Sequence, residues 1–536
     1  MKGRREWRTV TTFLVLLVTK EASVVNGKNI TSGDEKFSEN TGNKEKLSDL
    51  EGSETTYTFS YTNGFENAYD SFPYSSHTYS STFPQSSVSF DIGRNTTFDI
   101  HREIRCGDAF PRVCEKARYR TYDGSCNNLR NPTWGMANTR YGRLLPPNYA
   151  DGIRSPTKSV TGAELPLSRL VSYTLFPKVD IDDPVWTLVA MQWGQIITHD
   201  MAMIDGTTQS RDTRVNQNPQ LTILQIILLR EHNRVADALA RLNPHWTDET
   251  IFQEARRIVI AEHQHISYYE WLPIFLGIQA TYGNKILYNT KGYVNDYDKN
   301  VNPSVLNEHS NAAFRYFHSL IAGYLNLVNE HRFSNGALRL SDHFNRPGII
   351  EECNNMDDLT RGMSYQPEKA SDQFFDAEIT EFLFRNDRPL GSDLRATDIQ
   401  RDRDHGLASY NSYREYCGLP RAKYFTDFTD YISPSNVAKL SELYPSPDDV
   451  ELTVGGSLEE HVPGTLSGPT FLCILVRQFY KTRVGDRYWY ERGDHQSAFT
   501  IEQLNEIRKA SISRLFCDNG DHITSMQLRG FQQVSA

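Results

Sequence analysis

Gln195 and His199, in the stretch MQWGQIITHDMAM spanning residues 191–203, are the side chains of this sequence best spaced for chemistry. They stand four apart in an apolar-rich run, so on a helix they share one face, one turn above the other. Asp200, the adjacent residue, points elsewhere. A polar pair on an apolar helix calls for a partner or a ligand, because an unsatisfied buried polar group costs about 1–3 kcal/mol. An imidazole so placed can act as general base and then acid. It can equally be a partly buried histidine with an ordinary hydrogen bond. A second fragment, Glu262-His263-Gln264-His265, raises zinc hydrolysis, but it lacks the H-E-x-x-H spacing that puts two ligands on one helical face.

The elements that must position these residues read as helices. The helix bearing Gln195 and His199 is expected to start at Asp183 as cap, with Pro184 in the first helical position. Residues 221–242 carry strong helical patterning, residues 247–276 continue as one or two helices, and residues 311–328 form another amphipathic segment. Residues 393–413 are denser in charge, and residues 468–490 return to an apolar helical pattern. Residues 119–145 are rich in turns. Strand signals are few and short. The expected fold is mainly α, in one large domain from residue 106 to 536 without an internal repeat.

Composition narrows the function. The formal net charge of −10 argues against a nucleic-acid binder, which shows a basic footprint. Lys2, Arg4, Arg5 and Arg8 precede the apolar run 10–18, with small residues at Ala22 and Ser23; residues 1–23 read as a secretory signal, too short to span a membrane. No later stretch reads as a membrane span, so the protein is expected to be secreted. Residues 24–105 are rich in Ser, Thr, Asn, Gly and Tyr and read as a disordered extension or propeptide. Both N-glycosylation sequons, at Asn29 and Asn95, fall there, as do Tyr57, Tyr61, Tyr69, Tyr74 and Tyr79. Seven cysteines in a secreted chain are candidates for disulfides, with one left over. Cys114 and Cys126 are the nearest local pair; the spacing leaves Cys106, Cys353, Cys417, Cys473 and Cys517 open.

Several blocks together resemble the animal haem peroxidases of the peroxidase–cyclooxygenase superfamily, nearest to the secreted insect chorion-peroxidase type. They are YRTYDGSCNN, MQWGQIITHD, LLREHNRVADALARLNPHW, NAAFRYFHSLI, IQRDRDHGLASYN, LEEHVPGTLSGPTF and GDRYWYE, in family order between residues 106 and 533. The resemblance implies a haem b cofactor, hydrogen peroxide as oxidant and small phenolic or tyrosyl donors. It makes His199 the distal histidine, Gln195 its neighbour over the haem edge and Arg214 the distal arginine. His318 becomes the proximal iron ligand and Asp398 its hydrogen-bond partner, with Arg315 and Arg401 beside the cofactor. It also pairs Cys417 with Cys473, and matches Cys517 to a cysteine whose partner lies downstream of residue 536. The five tyrosines of the extension become candidate sites for dityrosine cross-linking.

Three departures from the family pattern carry consequences. The positions of the aspartate and glutamate that commonly esterify the haem hold Thr198 and Gln217, so non-covalent haem is expected. The usual proximal asparagine is Asp398. Asp200 matches a calcium ligand, but the long insertion with the calcium loop is missing between residues 205 and 215, and a hard cation needs six to eight oxygens. The rival expectation is therefore a peroxidase-fold binding or adhesion protein impaired in catalysis.

Overall fold

The computed structural model describes residues 113–202 and 213–534. The readings of residues 1–23 and 24–105, of Asn29, Asn95 and Cys106, and of most of the missing-loop interval lie outside the described residues.

The fold is helical, with four short strands in two antiparallel pairs among the described residues. Its principal helices are α1 (Ser168–Leu175), α2 (Leu188–Met201), α3 (Pro219–Leu242), α4 (Asp248–His265), α5 (Asn355–Tyr365), α6 (Leu394–Asp404) and α7 (Pro469–Val484). Strand β1 (Asp182–Thr187) pairs with β4 (Pro367–Lys369), and β2 (Tyr324–Val328) with β3 (Ser334–Arg339). No described helix is long and apolar enough to cross a membrane.

Local chemistry sets most helix starts. Asn218 accepts from the Leu221 amide at 2.8 Å and Pro219 takes the first position of α3, where its missing N–H costs nothing. Thr247 caps α4 through the Thr250 amide, and Asp393 caps α6 through the Ala396 amide. Asp393 also receives Arg169 and Ser172 of α1, which docks that helix onto α6. Helix α4 runs on through a π-helical turn, Ile266–Trp271, into Leu272–Leu276. It stops at Gly277, whose φ of 77° and lack of a side chain let Gly464 O approach to where a Cβ would be 2.7 Å away.

Helix α2 lies in the core. Leu188, Val189, Ala190, Met191, Gln192, Trp193, Ile196 and Ile197 are all buried, and the helix packs on α3, α5, β4 and the turn Arg315–Leu320. Each large apolar side chain so buried contributes about 1.5–3 kcal/mol. Trp193 and Trp271, both fully buried, satisfy their indole N–H groups on Ser267 Oγ (3.0 Å) and Ala190 O (2.8 Å).

Two expectations need correction. Asp183 does not cap α2: its Oδ1 accepts from the amides of Val185 (2.7 Å) and Trp186 (2.8 Å), which folds the chain into a turn, and Pro184 sits within β1. The helix begins at Leu188, behind a Thr187 whose hydroxyl donates to Gly530 O at 2.7 Å instead of capping. Nor is 311–328 one amphipathic helix. It divides into a π turn (His309–Ala313), a 3-10 turn (Arg315–Leu320) and β2. Gly323 marks the break, because Asp376 carboxylate oxygens lie within 2.5 Å of where a Cβ would stand and one of them accepts from the Gly323 amide at 2.9 Å.

Candidate active site

Gln195 and His199 both lie on α2, and the loop leading into α3 holds Gln195 in place. Asn218 donates from Nδ2 to Gln195 Oε1 at 2.9 Å, while its own Oδ1 caps α3. Gln195 Nε2 reaches Gln217 Oε1 at 3.4 Å. One residue thus starts a helix and orients the amide on its neighbour. Sequence reasoning missed Asn218, although an Asn before Pro at the head of a helical run was the signal for a cap.

Arg214 reaches the far end of the same helix. Its Nη1 donates to Ala202 O at 2.8 Å and its Nη2 to His199 O at 3.0 Å. A cation on these terminal carbonyls satisfies acceptors that have no intrahelical donor and complements the helix dipole. The guanidinium is therefore adjacent to His199, bound to its main chain. Asp200 is exposed, with Arg120 and Arg214 as charged neighbours. Thr198 Oγ1 turns back onto Gly194 O at 2.9 Å.

Across from α2, the Arg315–Leu320 turn carries His318. Its Nδ1 is 2.7 Å from Asp398 Oδ2, and Arg401 Nη1 donates to Asp398 Oδ1 at 2.8 Å. Asp398 and Arg401 sit one turn apart on α6, so a single helix supplies both charges. Burial alone would push the Asp398 carboxyl up, but His318, Arg401 and Arg315 together hold it below the ordinary carboxylate range. Burial, only partly offset by Asp398, pushes His318 below the usual histidine range. The result at neutral pH is an ionised carboxylate beside a neutral imidazole. With Nδ1 on Asp398, Nε2 is the ring nitrogen left to coordinate a metal.

Arg315 completes the group. Its Nε donates to Ser310 O at 3.1 Å, and burial with the like charges of Arg401 and Arg214 pushes its guanidinium down to about 9. Arg315 and Arg401 thus flank one carboxylate, and Arg315 also feels the charge of Arg214. The structure gathers Gln195, His199 and Arg214 at α2, and His318, Asp398, Arg401 and Arg315 at α6 and the Arg315–Leu320 turn, which packs on α2.

The other residues singled out in the sequence lie elsewhere. His263 stacks on Trp193 with centroids 4.9 Å apart, and His265 hydrogen-bonds Tyr490 at 2.9 Å; among the described residues no three His, Cys, Asp or Glu side chains gather to hold a metal ion. The zinc reading has no support there. Disulfides join Cys114 to Cys126 and Cys417 to Cys473, while Cys353 is an exposed thiol and Cys517 a half-buried one.

Comparison with known proteins fits this geometry. The sequence profile of the animal haem peroxidase family matches residues 119–211 and 209–531. A peroxidase of Drosophila melanogaster is 46% identical, over 82% of this chain and 83% of that protein. A chorion peroxidase of the same species is 34% identical over 77% of this chain and 68% of its own length. Among solved structures, peroxidase A of Dictyostelium discoideum superposes with a TM-score of 0.66 at 25% identity, covering 77% of this chain and 99% of that one. A fatty acid α-dioxygenase of Oryza sativa, 16% identical, shares the fold with a TM-score of 0.64 over 80% of this chain. The chain is a peroxidase and belongs to the animal haem peroxidase family.

Proposed function

We propose that the protein is a secreted peroxidase that holds its haem without covalent links and uses hydrogen peroxide to oxidise phenolic or tyrosyl donors, with cross-linking of extracellular proteins as the setting. The observation that carries this reading is the His318–Asp398–Arg401 arrangement, a half-buried neutral imidazole oriented by a buried, ionised carboxylate.

The family implies a haem, and the donor set fits one. His318 would offer Nε2 to iron, and the half-buried guanidiniums of Arg315 and Arg401 would suit the carboxylates of the cofactor. When bound, the haem supplies the redox chemistry, taking oxidising equivalents from peroxide and passing them to donors. The remaining roles belong to side chains. Asp398 accepts from His318 Nδ1, which fixes the tautomer and makes the imidazole a stronger electron donor. The His199 imidazole takes a proton from the incoming peroxide and returns it to the leaving oxygen. Arg214, held beside His199, stabilises charge developing there. Gln195, aimed by Asn218, offers an amide next to that proton transfer.

Thr198 and Gln217 offer no carboxylate for an ester, which supports haem held by ligation and packing. Calcium has weaker grounds: the charged neighbours of Asp200 are guanidiniums, and among the described residues no three His, Cys, Asp or Glu side chains gather beside it. Secretion rests on the character of residues 1–23.

The test is spectroscopic and kinetic. Purified protein is expected to show a Soret band and peroxide-dependent guaiacol oxidation, with all haem released into acidic organic solvent. Haem that stayed with the polypeptide would reject the non-covalent reading. A Soret band without turnover would replace the enzyme with a haem-bearing binding protein.

A further inference from the structure

Outside the candidate active site, the segment 118–120, helix α4 and the loop 487–499 enclose a pocket of about 30 Å³. That is room for about two water molecules, or for one small ion. Six arginines line it: Arg118, Arg120, Arg256, Arg257, Arg487 and Arg492.

These charges are balanced only in part. Arg118 and Arg257 share the single carboxylate of Glu254, at 2.8 and 2.6 Å. Arg120 forms a two-pronged pair with Asp486 (2.9 and 2.8 Å), and Arg492 pairs with the half-exposed Asp494 at 2.8 Å. Arg487 is buried, yet among the described residues it donates to neutral groups: Asn127 O, Cys126 O, His495 Nε2 and Tyr488 Oη. Arg256, also buried, donates to the carbonyls of Arg120 (2.8 Å) and Thr121 (3.2 Å). Among the described residues, two guanidiniums on the carboxylate of Glu254 and Arg487 among neutral partners leave positive charge in excess around the pocket.

The groups facing the pocket feel that excess. Burial together with Arg120 pushes Arg256 down to about 10, and burial with Arg487 and Arg492 pushes His495 down to about 4. Their hydrogen bonds also fix the guanidiniums in place, so an arriving anion would meet a preorganised field and need little rearrangement.

We propose that this pocket binds one small oxyanion, either an inorganic one such as sulfate or phosphate or the carboxylate of a small organic acid. Planar guanidinium groups match oxyanion geometry.

The experiment titrates the haem-loaded full-length protein separately with sodium sulfate, sodium phosphate and sodium acetate, at ionic strength held constant with sodium chloride. Melting temperature and isothermal titration calorimetry are the readouts. At least one anion is expected to raise the melting temperature along a saturating curve, with one site per chain. Response to sulfate or phosphate alone assigns the inorganic form; response to acetate as well assigns the site to carboxylates too. Ala498 lines the pocket, and Ala498→Asp, which supplies a carboxylate of the protein's own, is expected to abolish the titration. Arg118→Gln, which removes one of the two guanidiniums on Glu254, is expected to weaken binding by about two- to five-fold, read against that variant's own anion-free melting temperature. No saturating response at constant ionic strength overturns the proposal, as does an undiminished response in Ala498→Asp.

Discussion

The two faces of the candidate site are built from different interactions. On the His318 face, a buried carboxylate takes an imidazole at 2.7 Å and a guanidinium at 2.8 Å, with a second guanidinium nearby. On the His199 face, Gln195 is held by neutral amides at 2.9 and 3.4 Å, and Arg214 is attached to main-chain carbonyls. Removing one member of a buried charge pair costs about 3–5 kcal/mol, whereas a neutral hydrogen bond is worth about 1 kcal/mol. The first face is rigid because its charges need one another. The second is positioned by a helix and its neighbour's cap, and tolerates adjustment more cheaply.

Substitutions can break or sharpen this contrast. The largest effect is expected from His318→Ala, which removes the nitrogen offered to iron; the Soret band and peroxidase turnover should both vanish. Next comes Asp398→Asn. Loss of the carboxylate leaves Arg401 without its partner and weakens the push on His318, so haem affinity or activity should fall about 10–100-fold. Potentiometry should show the reduction potential rising, because a less electron-rich imidazole stabilises ferric iron less. An unchanged potential would remove the electronic role of Asp398.

Acid should probe the His318 face without mutation. His318 lies below its ordinary value of about 6.5, so the unfolded chain takes up that proton first as pH falls. Its contribution is complete above about 6.5 and is lost as pH drops toward the folded value. Asp398 is likewise depressed, so its contribution holds above the ordinary value of about 3.9 and is lost as pH falls through the folded one. Stability of the haem-free chain, followed by thermal unfolding from pH 7 downward, should therefore decline in two stages. Asp398→Asn should lack the second. A single transition shared by both proteins would contradict this.

The smallest effect is expected on the other face. Asn218→Asp preserves the helix cap but removes the donor to Gln195. Stability should change by less than about 0.5 kcal/mol, since Asp and Asn cap comparably. Turnover should fall about five-fold, the worth of one neutral hydrogen bond. A larger loss than in Asp398→Asn would reverse the ranking of the two faces.

Much of this site could be read before the fold was known, for identifiable reasons. The four-residue spacing of Gln195 and His199 is a helical property, and α2 contains both. The helix-rich fold followed from long apolar periodicities such as that of α3. The start of α2 was misread because Asp-Pro before an apolar run suits a helix cap and a turn equally; tertiary pairing of β1 with β4 decided for the turn. The strand β2 was hidden because LNLV in YLNLV also satisfies a helical pattern, and the close contact at Gly323 that ends the preceding turn is non-local. The attachment of Arg214 to the end of α2 could not be read at all, since it depends on main-chain acceptors that no sequence pattern displays.

Asn218 also sets how freely the sequence can vary. Position 218 must present an acceptor to the Leu221 amide and a donor to Gln195 from the same short side chain. Of the residues that start helices well, Asp has only acceptors when ionised, Ser and Thr have one hydroxyl for both tasks, and Gly has no side chain. Asparagine alone carries both functions on one rigid amide. A position that a helix by itself would leave open to five amino acids is narrowed to one by its neighbour, and library selection at this codon for peroxidase turnover, rather than for folding, would recover that single letter.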